Sequence, residues 1–180
     1  MPSFEMLLTH YPDSTSGGDV KRMIGGSVDD TGKPAAQQWL GGEDGYTCAI
    51  RMSKALNDVG HPIPANFPGM RTARGRDGRH YAFAVQEMRK YLAATFGPPG
   101  IDIRGTSVSR EPVKHSKGII VFDIAFGMSP GSATRSLGHV DLWDSWTFFY
   151  EKFGISRPGS DFFQLANRVS LWIANGTGSI

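Results

Sequence analysis

Over residues 48–59 the apolar side chains recur at the spacing of a helix. Cys48, Met52, Ala55, Leu56 and Val59 fall on one side of a 3.6-residue spiral, while Arg51, Lys54 and Asp58 fall elsewhere. Gly60 supplies a left-handed stop, with Pro62 and Pro64 just beyond it. The glycine-rich stretch 41–45 precedes this helix as a loop, and Thr47 is placed to cap its first amides. A second helical stripe, Met88, Tyr91, Leu92 and Phe96, starts near Gln86 and is stopped by Gly97, Pro98 and Pro99. A shorter helix is expected over 20–24, ended by Gly25 and Gly26, and residues 65–79 read as a long exposed connection.

The back half changes period. Residues 81–85 alternate bulky and small side chains, as a short strand does, and 118–126 is a nearly continuous apolar run, the pattern of a central strand buried on both faces. Residues 137–143 alternate, with His139, Asp141 and Trp143 on one face and Val140 and Leu142 on the other. Asp144 and Ser145 form a tight turn into a further strand over 146–150. One or two helical turns over 160–166 lead to a last strand in which Val169, Leu171 and Ile173 alternate. The expected fold class is α+β: a cysteine-bearing helix at about 48–59 packed on a mostly antiparallel sheet at about 118–173, within a single domain of residues 1–180.

Composition sharpens this picture at a few points. The 23 glycines and 11 prolines call for many turns, which suits α+β better than a helical bundle. A net charge of +2 is too mild to argue for nucleic acid. The densest basic run, 71–79, is glycine-rich and reads as a solvated loop, with contact to an acidic polymer as the sharper option. A single cysteine excludes an intrachain disulfide. The first ten residues lack a basic start and a long apolar run, and no stretch approaches a membrane span. The expectation is a soluble chain made in the cytoplasm without a cleaved signal.

Two residues carry the chemistry. A thiol at a helix N-terminus feels the positive end of the macrodipole, which favours thiolate, although a lone cysteine is usually a small buried hydrophobe. Of the five histidines, His10, His61, His80 and His115 read as surface; His139 differs because a glycine precedes it and a regular strand follows. A hydrogen-bonded strand histidine is the plain alternative. A metal set of His139, Asp141, Asp144 and Glu151 is the rival constellation, but no His-x-x-x-His or Cys-x-x-Cys spacing supports zinc. No G-x-S-x-G elbow supports a serine nucleophile.

The motifs resemble the fourth family of type VI secretion amidase effectors, toxins that bacteria inject into competitors. Ile24-Gly25-Gly26 is similar to that family's early I-G-G. The block from Thr47 through Asn57, followed by Gly60 and Pro62-Ile63-Pro64, is similar to its N-x-C-A-x-R-x-S-x-A-L-N segment. Lys117-Gly118-Ile119-Ile120 and Gly138-His139-Val140-Asp141-Leu142-Trp143-Asp144 resemble its G-I-I and G-H-x-D-L-W segments. Asp161-Phe162-Phe163 and Leu171-Trp172 resemble its closing D-Y-F and L-W.

The resemblance implies a papain-like fold of the NlpC type and a peptidoglycan endopeptidase that cuts stem peptides between D-glutamate and meso-diaminopimelate. It makes Cys48 the nucleophile, His139 the general base and acid, and Asp161 the third member, with no cofactor. Residues 151–159 lengthen the connection from His139 to Asp161 relative to the family, and Asp144 is the substitute for Asp161. The cysteines that some members carry after the G-H block are absent. The implied partners are peptidoglycan, a cognate immunity protein and the secretion apparatus, without nucleic acid or membrane. The implied place of action is the periplasm of the target cell. Two other functions fit the same residues: an acyl-transferring enzyme that exchanges stem peptides, and a non-catalytic wall-binding module using residues 71–79.

Overall fold

The structure, a computed structural model, describes residues 1–12, 17–30, 47–106, 108–124, 137–146 and 162–174. They divide into two compact units, one of Met6–Tyr91 and one of Met1–Glu5 with Leu92–Ile180. Among the described residues no helix is long and apolar enough to cross a membrane.

The first unit is built on helix α3, Thr47–Asp58, preceded in the chain by α1 (Phe4–His10) and α2 (Gly17–Ile24). Thr47 is the first residue of α3 itself rather than the residue before it, and Gly60 ends the segment at φ 86°. The helix is buried on more sides than the amphipathic pattern implies. Ala49, Ile50, Met52, Ala55 and Leu56 are inaccessible, and Arg51, off the apolar stripe, is 4% exposed. Its guanidinium donates to the Pro12 carbonyl, so a long cation is accommodated within the fold.

Residues 65–79 are not merely an exposed connection. Thr72–Arg74 forms strand β1, antiparallel to β2 (His80–Ala82), with Ala73 opposite Tyr81. The basic run is therefore a hairpin. Asp77 ties its turn by accepting from the Arg79 amide at 3.1 Å and the Tyr81 hydroxyl at 2.7 Å.

Gly26 meets this hairpin. It sits at φ 62°, and a Cβ there would lie 2.5 Å from the Arg74 carbonyl oxygen, closer than real atoms approach. The I-G-G segment is thus a close backbone crossing, sealed by the Arg76 amide donating to the Ile24 carbonyl at 3.1 Å. Val20, Ile24, Val28, Ile50, Ala73 and Tyr81 form the core beneath.

Helix α4, Val85–Phe96, buries Met88, Tyr91 and Leu92 along the expected stripe, and Gly97 ends it at φ 81°.

The second unit holds a four-stranded antiparallel sheet in the order β3-β6-β4-β5. The strands are β3 Ile101–Arg104, β4 Gly118–Ile124, β5 Leu137–Trp143 and β6 Ala166–Ile173. The continuous apolar run becomes β4, paired on both sides and buried at every position except Asp123. Gly118 starts it because a Cβ there would meet the Trp172 carbonyl oxygen at 1.9 Å.

The edge strand β3, which the pattern did not reveal, is held to β6 by Asp102. That carboxylate accepts from Arg168 Nε at 2.8 Å and Nη2 at 2.9 Å, and from the Ser170 hydroxyl. A short helix α5, Phe162–Leu165, precedes β6 and drops Phe163 into a core with Ile120, Phe122, Trp143, Val169 and Leu171. The strand expected over 146–150 lies outside the described residues from 147 onward.

Candidate active site

Cys48 occupies the second position of α3 and is partly exposed, whereas the residues that follow it are buried. The body of this helix is held by a pair of polar side chains one turn apart. The Ser53 hydroxyl donates to the Ala49 carbonyl at 2.8 Å and accepts the Ala82 amide of β2 at 3.0 Å. Asn57 donates to the His80 carbonyl at 2.9 Å and accepts the Ile63 amide at 2.8 Å. The spacing of four puts both on one helical face, where they pair with backbone groups of the β2 strand edge that would otherwise be buried without partners. In the block that resembles the family, then, the serine and asparagine clamp the helix on which the cysteine sits.

The last turn of α3 is fastened separately. The Asp58 carboxylate pairs with Lys54 and Arg79; burial works against its charge, but these two cations hold it below the usual carboxylate range.

In the other unit, β5 carries His139. His139 is 7% exposed, and its ring lies against two aromatic neighbours that also meet each other. Phe162 of α5 stacks on it at 4.7 Å between centroids and 19° between planes, and Phe122, its cross-strand partner on β4, lies at 6.4 Å. Asp141, two residues on and on the same face, is fully buried. Its Oδ2 is 3.4 Å from His139 Nε2, and its Oδ1 accepts the Leu142 amide at 2.8 Å.

Trp143, the next residue on that face, donates from Nε1 to the Val113 carbonyl at 2.9 Å. Asp144 follows at the strand end, where Oδ1 accepts the Trp146 amide at 3.0 Å and shapes a turn with Ser145 at φ 83°.

Cys48 belongs to the first unit and His139 to the second. Asp161 lies outside the described residues. Asp144 is engaged in its own turn, and among the described residues Asp141 is a carboxylate beside the imidazole. Among the described residues no group of three or more His, Cys, Asp or Glu is gathered as a metal set. The sequence pattern had put Asp141 on the histidine's face but had read it only as a rival metal ligand. The contribution of Phe162 has a sequence signal as well, since it follows the aspartate of the D-F-F segment.

A sequence model of the family described as type VI secretion system amidase effector protein 4, Tae4, matches residues 45–172. Nothing among curated proteins matches. Solved structures do. The effector of the Tae4/Tai4 effector–immunity system from Salmonella typhimurium is similar at 29% identity and TM-score 0.73, covering 97% of this chain and 99% of that one. The Salmonella typhimurium effector in complex with the immunity protein Tai4 from Enterobacter cloacae is similar at 29% identity and TM-score 0.72, covering 97% and 100%. Tae4 from Enterobacter cloacae, at 21% identity and TM-score 0.73 over 97% and 98%, shares the fold. That fold is α+β and papain-like, of the NlpC type. With the matched span running from just before the cysteine helix to the last strand, the chain belongs to the type VI secretion amidase effector 4 family.

Proposed function

We propose that this effector hydrolyses peptidoglycan stem peptides at the bond between D-glutamate and meso-diaminopimelate, using Cys48 as nucleophile and His139 as general base and acid. The observation that carries the reading is the setting of His139. Its ring is held on strand β5 by an aromatic stack and a carboxylate, the fixed orientation that proton transfer to and from a thiol requires. Cys48 supports it by standing partly exposed in the first turn of a helix pinned by Ser53 and Asn57.

In this mechanism the Cys48 S–H proton passes to His139 and the sulfur attacks the γ-D-glutamyl carbonyl carbon. The carbonyl π electrons move to oxygen, which the Cys48 backbone amide stabilises. Collapse breaks the C–N bond as the imidazolium protonates the departing amine. Water, deprotonated by His139, then cleaves the thioester and restores the thiol. Asp161 is the third member by its place in the D-F-F segment, and Asp144 is its substitute.

The Salmonella typhimurium effector, solved with Tai4, supports a cognate immunity protein as partner. Family membership supports delivery by the type VI apparatus from the producing cell's cytoplasm to the recipient's periplasm. Digestion of purified sacculi is the test: Cys48→Ala and His139→Ala should each abolish release of stem-peptide fragments, alone as completely as together. Amine-exchanged peptides among the products would replace hydrolysis by acyl transfer.

A further inference from the structure

We propose that the β1–β2 hairpin, through Arg74 and Arg76, is a docking surface for the carboxylate-rich peptidoglycan sacculus, separate from the thiol chemistry; this rests on the wall substrate proposed above. Residues 71–79 contain four arginines and one aspartate, whereas the whole chain carries a net charge of only +2. The positive excess of the protein is therefore gathered in this hairpin. Two of the four arginines have a carboxylate partner: Arg71 pairs with Glu87 at 2.9 Å, and Arg79 with Asp58. Asp77, the one acid of the run, is spent on the turn itself, its oxygens accepting from the Arg79 amide and the Tyr81 hydroxyl. Arg74 and Arg76 have no carboxylate partner among the described residues, and both are exposed, alternating with buried Ala73 and Gly75.

Both side chains are held in place. Arg74 Nε donates to the Gly78 carbonyl at 3.4 Å, and the Arg76 guanidinium lies against Gly25, where a Cβ would stand 3.1 Å from it. The backbone beneath is fixed by the Gly26 crossing and by the Arg76 amide on the Ile24 carbonyl. Two guanidinium forks are thus presented with little further freedom to lose on binding. Such a fork suits a carboxylate, to which it can donate two parallel hydrogen bonds. The proposed substrate supplies that group as a repeated array, because a D-glutamate joined through its γ-carboxyl keeps a free α-carboxylate in every stem. The hairpin meets α3 at the end away from the sulfur: Arg79 reaches Asp58, about 15 Å along the helix from Cys48. The stem held there is a neighbour of the one being cut, so the surface grips the polymer and not the scissile peptide.

The test is cosedimentation of the full chain with purified sacculi, with Cys48→Ala as the parent so that binding is read without turnover. Adding Arg74→Gln and Arg76→Gln to that parent should weaken binding on the order of tenfold at low salt, since two exposed charge pairs are lost. Binding by the parent should fall steeply as salt rises from about 0.05 to about 0.5 M. It should fall as far on sacculi whose carboxylates have been converted to neutral amides. Adding Arg104→Gln and Lys114→Gln instead removes the same charge from the second unit and should leave binding as in the parent.

Parent-like binding after loss of Arg74 and Arg76, undiminished binding to the amidated sacculi, or an equal loss on removing Arg104 and Lys114 would overturn the assignment. If the Arg74→Gln, Arg76→Gln pair does not fold, the single substitutions decide, each with an expected loss of about threefold. Because binding is read without turnover, its failure counts against the hairpin alone. Digestion surviving in Cys48→Ala would count against the thiol mechanism instead.

Discussion

Asp102 shows what a single charge contributes outside the site. The two hydrogen bonds from Arg168 hold its carboxyl down to about 2 against the opposing pull of burial, with Ser170 assisting. A depressed folded-state value means stabilisation that is fully present above the unfolded value of about 4 and lost as pH falls toward 2. Asp102→Asn should therefore lower stability at neutral pH by about 1.5–3 kcal/mol, the range for hydrogen bonds to charged groups. It should also flatten the acid limb of the stability curve. Urea titrations of wild type and variant at pH 7 and near pH 3 check both parts, and equal sensitivity to acid in the two proteins would contradict the account. Gly26→Ala should destabilise by about 1–3 kcal/mol, because the methyl would meet the Arg74 carbonyl and the residue sits at φ 62°; an unchanged melting temperature would show that the crossing relaxes at little cost.

Elements differ in how plainly the chain announces them. Helices α3 and α4 and strands β4, β5 and β6 are long enough for several residues to repeat at 3.6 or 2, so their existence and faces could be read. Strand β1 could not be: three residues inside a basic, glycine-rich run carry no period, and the strand exists only because it pairs with β2. Strand β3, four residues after Gly97-Pro98-Pro99-Gly100, depends on Asp102 reaching across to Arg168, a partner 66 positions away. Local pattern is blind to such long-range pairing.

The same limit applied at the candidate site. Cys48 and His139 stood out by place, at a helix start and on an alternating strand. What surrounds the ring did not, because Phe162 reaches it from another element and the Asp141 contact depends on side-chain direction. The burial of Arg51 has no local signal either, because its acceptor is the Pro12 carbonyl, 39 positions away in the chain.

The clamp between α3 and β2 gives a prediction at this scale. Ser53→Ala leaves the Ala82 amide without its acceptor and should cost about 1–3 kcal/mol. It should also reduce sacculus digestion at temperatures where the variant is still folded, because the helix bearing Cys48 loses one of its two anchors. A variant as stable and as active as wild type would remove Ser53 from the account.

For the molecule as a whole, the family relationship and the described geometry bear on different parts of one story. Family membership makes the chain an amidase effector of a type VI system. The geometry supports the proposed choice of groups: a partly exposed sulfur in the first turn of a clamped helix, and an imidazole beside a stacked ring and a buried acid. The central claim is that this thiol and this imidazole cut the wall peptide. Its most direct test is mass-spectrometric analysis of the soluble products from purified sacculi incubated with wild type or with folded Cys48→Ala. Wild type should release fragments ending in free D-glutamate together with fragments bearing a newly exposed diaminopimelate amine, and Cys48→Ala should release neither. The same fragments from Cys48→Ala, at a rate near that of wild type, would contradict the claim.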